Sequence, residues 1–264
     1  MTLHDNVLAA AKEIAQARRN RTPLKALPPP TAPKDEAEGY RIQRAVHDLL
    51  LPQVGPLVGY KIGCTSAVMQ RYLDIPHPCG GGVFARGVHD SGAVLRAGDF
   101  VRVGVECEIA ARLARDLAPS EQPFTAEWMM EAVEAYFPAI EIVDERYECW
   151  QTLGAPTLIA DDFFGAGCVL GEAVARSAAP DLRKIGGRAM INGVEAGRGT
   201  GADVLGDPHN ALAWLANHLA AAGKGLHAGQ IVLTGSLVKT VWLNAGDLVE
   251  MELEGLGRVE ATFA

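Results

Sequence analysis

The stretch that most constrains the fold is Val101-Arg-Val-Gly-Val-Glu-Cys-Glu-Ile-Ala-Ala111. In an extended strand alternate side chains share a face. Val101, Val103, Val105, Cys107 and Ile109 then point one way, and Gly104, Glu106, Glu108 and Ala110 the other. The first face wants a core; the second carries two carboxylates flanked by residues with almost no side chain. A half-buried strand with its acids in water would satisfy this pattern. A third acid changes the balance. Glu141 lies inside Phe137-Pro-Ala-Ile-Glu-Ile-Val143, whose other members want burial, and a buried carboxylate needs a cation or a dense set of hydrogen bonds. Three acids in one cleft repel one another unless a metal sits between them. A set made only of carboxylates, with no His or Cys at ligand spacing, suits a hard ion, Mg²⁺ or Mn²⁺, with water or substrate oxygens completing the shell. Glu106, Glu108 and Glu141 are therefore the expected metal ligands.

With Pro138-Ala-Ile-Glu141, Gly59-Tyr-Lys-Ile-Gly-Cys-Thr-Ser66 and the stretch from Asn192-Gly193 to Leu233-Thr-Gly-Ser236, this strand resembles the 2-keto-4-pentenoate hydratase and 4-oxalocrotonate decarboxylase family of the fumarylacetoacetate hydrolase superfamily. The likeness runs from about residue 35 to the C-terminus. It implies that Lys61, on a short strand between glycines, contacts a 2-oxo acid, and that Thr234 and Ser236 help to hold its carboxylate. Arg146, close after Glu141, is a further candidate for gripping a carboxylate. The chain departs from the family at two places. Hydratases carry an acid/base residue in a Pro-Asp-Phe-Gly-like motif, where this chain has Cys79; Asp74 and His77 are its possible substitutes. A cysteine serves there only if a neighbouring charge lowers its pKa. Where the family reads Asp-Asn-Ala-Ser and uses the Ser near the substrate, this chain offers Asp162 and two phenylalanines, which implies a more apolar pocket.

Strands without regular helix crossovers, preceded by helices, indicate an α+β fold with a mixed, curled sheet. A chain of 264 residues, 48% hydrophobic and 21% charged, suits one catalytic domain: a helical segment over 1–54 and a metal-binding body over 55–264. Helices are expected over 5–19 and 34–51, separated by Pro23 and Pro28-Pro29-Pro30, and they cap the body or an oligomer contact. Of the second, Ala37, Tyr40, Ile42, Val46 and Leu49 form the expected buried side. Residues 74–84, with three glycines and two prolines, read as a loop, and 127–136 as a helix. Asp207, before Pro208, reads as the N-cap of a helix running to Gly223.

A net charge of −8 with no basic run argues against nucleic acid or an anionic membrane as partner. Five cysteines without a Cys-x-x-Cys pair read as free thiols in a reducing cytosol, and no apolar run is long enough to span a bilayer. A cytoplasmic homo-oligomer is expected, associated with another enzyme of its pathway. The chemistry that fits is enolate chemistry on a 2-oxo acid. The first reading is a hydratase that adds water to a 2-hydroxydienoate, giving a 4-hydroxy-2-oxo acid, as in aromatic meta-cleavage catabolism. The alternatives are a decarboxylase of oxalocrotonate type, an acylpyruvate-type hydrolase with His77 orienting water, and a metal-binding partner without catalysis.

Overall fold

The computed structural model describes residues 3–264. The chain begins with α1 (Leu3–Asn20) and α2 (Glu36–Val54), the latter capped by Asp35, whose carboxylate accepts the Glu38 amide. Then come β1 (Leu57–Gly63), α3 (Ala67–Leu73), β2 (Cys79–Phe84), β3 (Val88–Asp90), β4 (Ala93–Leu95) and β5 (Val103–Leu113). The middle holds α4 (Ala126–Ala132), β6 (Val133–Asp144), α5 (Ala155–Ala160), β7 (Gly165–Leu170), β8 (Val174–Ala175), β9 (Gly186–Ile191) and β10 (Val194–Thr200). It ends with α6 (Pro208–Ala221), β11 (Ile231–Ser236), β12 (Val241–Trp242), β13 (Asp247–Leu253) and β14 (Gly257–Phe263).

One sheet runs β2-β1-β11-β5-β6-β7-β3, with β12 also on β5 and β8 on β6; the other runs β10-β9-β13-β14-β4. Parallel pairs β1·β11, β3·β7 and β4·β14 sit among antiparallel ones, so both sheets are mixed. The expected α+β class with a curled mixed sheet and leading helices is the observed one. The alternation of β5 also holds. Val103, Val105, Cys107 and Ile109 enter a core shared with Ile140 and Ile142 of β6 and with Val249, Met251, Val259 and Phe263 of the second sheet. That leaves the opposite face of β5 for the acids.

Two expectations fail for tertiary reasons. The glycine-rich run at 79–84 is not loop but strand β2, paired antiparallel with β1 at Tyr60↔Gly82, Lys61↔Gly81 and Ile62↔Gly80. Its glycines serve close approach. A Cβ on Gly81 would lie 3.1 Å from Lys61 Cγ and Cδ, and one on Gly82 would lie 2.6 Å from Leu57 and 2.7 Å from His47. The expected helix at 127–136 stops at Ala132, because Val133, Ala135 and Tyr136 pair with β5 and extend β6 to twelve residues.

Ala10, Ala11 and Ile14 of α1 pack on Ile42, Val46 and Leu50 of α2, with Tyr147 and Ala160 beneath. The buried side of α2 is shifted from the expected one: Gly39, Gln43, His47 and Leu50 are buried, and Ala37 is exposed. The polar members of that side cover the free edge of β2. Gln43 Nε2 donates to Gly80 O at 2.9 Å, and the Gly80 amide donates to Tyr40 Oη at 3.1 Å.

Candidate active site

Strand register builds the acidic cluster. Glu106 on β5 faces Glu141 on β6 across one antiparallel pair, and Glu108 lies two residues along the same face. One carboxylate oxygen from each lies within 4.8 Å of the others. Glu108 is fully buried and Glu141 nearly so, while Glu106 is half-buried. Glu108 Oε2 accepts the Gly235 amide at 2.9 Å, and Glu106 Oε1 accepts the Thr240 hydroxyl. Gly235 holds a φ of 120°, and a Cβ there would meet Thr65 at 2.4 Å, so that amide is presented by a position only glycine fits.

Lys61 enters the cluster from β1, two strands away from β5. Its buried Nζ lies 3.0 Å from Glu141 Oε1 and donates to Phe163 O at 3.5 Å. Burial by itself would lower the lysine's pKa, but Glu141, Glu106 and Glu108 outweigh it and hold the pKa above the ordinary lysine value. Burial, and then Glu141 and Glu106, push Glu108 well above the usual carboxylate range. Burial also raises Glu141, against the pull of Lys61. Glu108 Oε1 and Glu141 Oε2 are buried without a hydrogen-bond partner. Orphaned carboxylate oxygens cost free energy unless a cation takes them, and three hard donors with one ammonium leave a negative excess. The donor set thus fits a divalent ion of the Mg²⁺ or Mn²⁺ kind.

Among the described residues the other candidates make no hydrogen bond to the three carboxylates. The Thr234 hydroxyl is buried and donates to Ile109 O at 2.9 Å; that of Ser236 donates to Val238 O at 2.5 Å, so each is spent on backbone. Cys79 points into an apolar cluster with Cys64, Phe163 and Leu158. Interaction with the Cys64 thiol, then burial, raise its pKa far above the thiol range, the opposite of what an acid/base cysteine needs. Asp74 caps α3 in a left-handed conformation, exposed. His77 sits 3.3 Å from Glu36 and stacks near Trp214.

Arg146 and Asp162 belong to a buried ion network behind the cluster. Arg146 Nε pairs with Asp161 Oδ2 at 2.8 Å, and its other nitrogens reach the carbonyls of Asp161, Phe164 and Gly165. Arg18 of α1 reaches Asp161 at 2.5 Å and Asp162 at 2.9 Å. Asp162 Oδ1 lies 2.7 Å from His47 Nε2 and accepts the Gly82 amide at 3.0 Å. This network pins Asp162, Phe163 and Phe164, three successive left-handed residues with φ of 54°, 47° and 67°. Phe163 thereby offers its carbonyl to Lys61. Sequence reading missed Thr240, the Gly235 amide, the Phe163 carbonyl, Arg18 and His47. Their partners lie 102 to 144 residues away along the chain, beyond any local spacing signal.

A family model described as the fumarylacetoacetate (FAA) hydrolase C-terminal region matches residues 82–264. The chain is 34% identical to a 2-keto-4-pentenoate hydratase of Dechloromonas aromatica over 97% of both chains. It is 36% identical to a TodF product hydratase of Pseudomonas putida, covering 87% of this chain and 85% of that one. Among solved structures it is similar to a 4-oxalocrotonate decarboxylase from Pseudomonas putida complexed with magnesium and adipate, at 26% identity and a TM-score of 0.93, covering 100% of this chain and 99% of that one.

Proposed function

The chain belongs to the fumarylacetoacetate hydrolase family, and from that premise we propose that it is a divalent-metal-dependent hydratase, a lyase that adds water to a 2-hydroxydienoate, through its 2-oxo-enoate tautomer, to give a 4-hydroxy-2-oxo acid. The observation that carries this reading is the buried Glu106, Glu108 and Glu141 cluster with two orphaned oxygens beside Lys61, in a chain similar along nearly its whole length to hydratases. Those three residues would hold Mg²⁺ or Mn²⁺, which when bound supplies a Lewis acid for the carboxylate and 2-oxo oxygens of the substrate. Lys61, held charged, adds a second positive contact for the negative charge that builds on the 2-oxygen. Its raised pKa keeps it a fixed positive charge and not a base. The Gly235 amide and the Thr240 hydroxyl orient two of the three carboxylates. Phe163 keeps the side beyond Lys61 apolar.

The buried thiol at Cys79 favours a second reading. Decarboxylation of an oxalocrotonate-type acid needs an electron sink and a proton donor but no base to activate water. We further infer that the chain acts in the cytoplasm as a homo-oligomer associated with another enzyme of its pathway. Among the described residues no helix is long and apolar enough to cross a membrane. Purified protein with Mg²⁺ is to be incubated with 2-hydroxydienoates, oxalocrotonate and acylpyruvates, following ultraviolet loss and product mass. Dienoate consumed with gain of one water supports the hydratase. Carbon dioxide released from oxalocrotonate alone moves the assignment to the second reading, and no consumption of any of the three rejects both.

A further inference from the structure

A second cavity lies behind the β1–β2 pair, on the face away from Lys61. Side chains alternate along β1, so Lys61 faces the carboxylates while Tyr60 faces the opposite side. There α2, α6 and β1 line a half-open cavity of about 370 Å³, within the range of small-molecule sites. Leu57, Tyr60, Leu215 and Leu219 give an apolar lining, and Arg41, Arg44 and Lys224 bring three cations to it, while burial, and then His77, hold His218 below the ordinary histidine value, so that it adds no charge at neutral pH. No Asp or Glu lines it. In a chain of net charge −8, such a gathering of cations around one concavity asks for a counter-charge.

The protein's own acids meet this charge only in part. Arg41 Nε is buried without a hydrogen-bond partner, and its guanidinium approaches Glu38 only to 3.7 Å. Burial, and then the charge of Arg44, hold Lys224 below the ordinary lysine value, against a smaller pull from Asp48. The cavity wall is also joined to the catalytic face. Tyr40 and Gln43, both lining it, hold the amide and carbonyl of Gly80. His47, also in the lining, holds Asp162, which takes the Gly82 amide. Gly81, between those two glycines, packs on the stem of Lys61.

We propose that this cavity binds an organic anion, a carboxylate or phosphate carried on an apolar body, and that its occupancy adjusts the Lys61 face through Gly80, Gly82 and Asp162. Binding can be tested whatever reaction the metal centre performs. Mg²⁺-loaded protein is titrated by calorimetry with 4-phenylbutyrate and with phenylphosphonate, saturating oxalate being present to occupy the metal centre. One acid is expected to bind per chain, and the tighter of the two identifies the headgroup. The neutral 4-phenylbutyramide is expected to bind about tenfold more weakly or worse. The Arg44→Glu/Lys224→Glu variant, changed only at exposed positions, is expected to lose about tenfold or more in affinity for the acid while keeping Mg²⁺ binding and turnover without effector. In the dienoate assay the bound acid is expected to change kcat or KM of the parent and not of that variant. The proposal is overturned if neither acid binds at millimolar concentration, if oxalate displaces the acid, or if the amide binds as well as the acid. Undiminished binding by the charge-reversed variant overturns it too, as does a change in oligomer mass on charge reversal, which would give this face to a second copy of the chain. An unchanged kcat and KM on saturation with the acid removes the coupling to Lys61.

Discussion

At Glu108 folding and chemistry pull in opposite directions: burial drives its pKa far up, while a metal requires it ionised. Glu108→Gln should therefore make the metal-free protein more stable, by about 1–3 kcal/mol, because a buried charge without a full partner is removed. With saturating Mg²⁺ the order should reverse, since only the parent gains the linkage term, about 2.7 kcal/mol at a hundredfold excess over Kd. Thermal melts with and without Mg²⁺ check both signs. At Lys61 the expectation separates binding from turnover. Lys61→Met should lose about 10²–10³ in kcat, and bind Mg²⁺ no more weakly by calorimetry, because a competing cation has left the cluster. Cys79→Ala should leave turnover within about threefold and cost about 1–3 kcal/mol in a urea titration, the signature of a packed thiol and not of an acid/base group. The acidic cluster was legible because two carboxylates on one strand face and one inside an apolar run are local patterns. The fate of Cys79, Thr234 and Ser236 was not, because a hydroxyl or thiol looks alike in sequence whether it faces a cleft or a backbone carbonyl.

Among the elements, α1 does more than cap the body. Its Arg18 bonds Asp161 and Asp162 and so helps to hold three left-handed residues, each costing about 1–3 kcal/mol, against the site. Arg18→Met should destabilise the protein by about 3–5 kcal/mol, as two buried carboxylates lose a partner. Asp162→Asn in that background should recover part of the loss, and a double-mutant cycle of urea midpoints measures the coupling. Additive effects would show that Arg18 and Asp162 act separately. Both N-terminal helices could be read from apolar periodicity, and α6 from Asp207 and Pro208, since those are signals within a turn or two. Strand β2 could not be read. Its glycines resemble a loop until Lys61, Leu57 and His47 are packed against them.

For the molecule as a whole, acid should attack the seam between the N-terminal helices and the sheet. Burial would raise the Asp162 pKa, but His47 and Arg18 outweigh it and depress it below the usual carboxylate range; Asp161 and Arg146 complete the seam. A depressed folded pKa contributes stability that is present above the unfolded value, about 3.9, and lost as pH falls through it toward the folded value. Urea midpoints should therefore fall more steeply between about pH 5 and 3 in the parent than in Asp162→Asn; equal slopes would place the acid-sensitive contact elsewhere. By itself the sequence determined the class of fold, the core face of β5, the Asp207 cap of α6 and the carboxylates suited to a hard cation. Each of these follows from alternation, capping or burial over a few residues. Only the tertiary structure decided that Glu106 stands opposite Glu141, that Lys61 meets Glu141 from another strand, and that Arg146 and Asp162 help to hold the turn at 162–164. Those contacts join residues far apart in the chain, and their geometry exists only once strand register and helix docking have selected one arrangement among many.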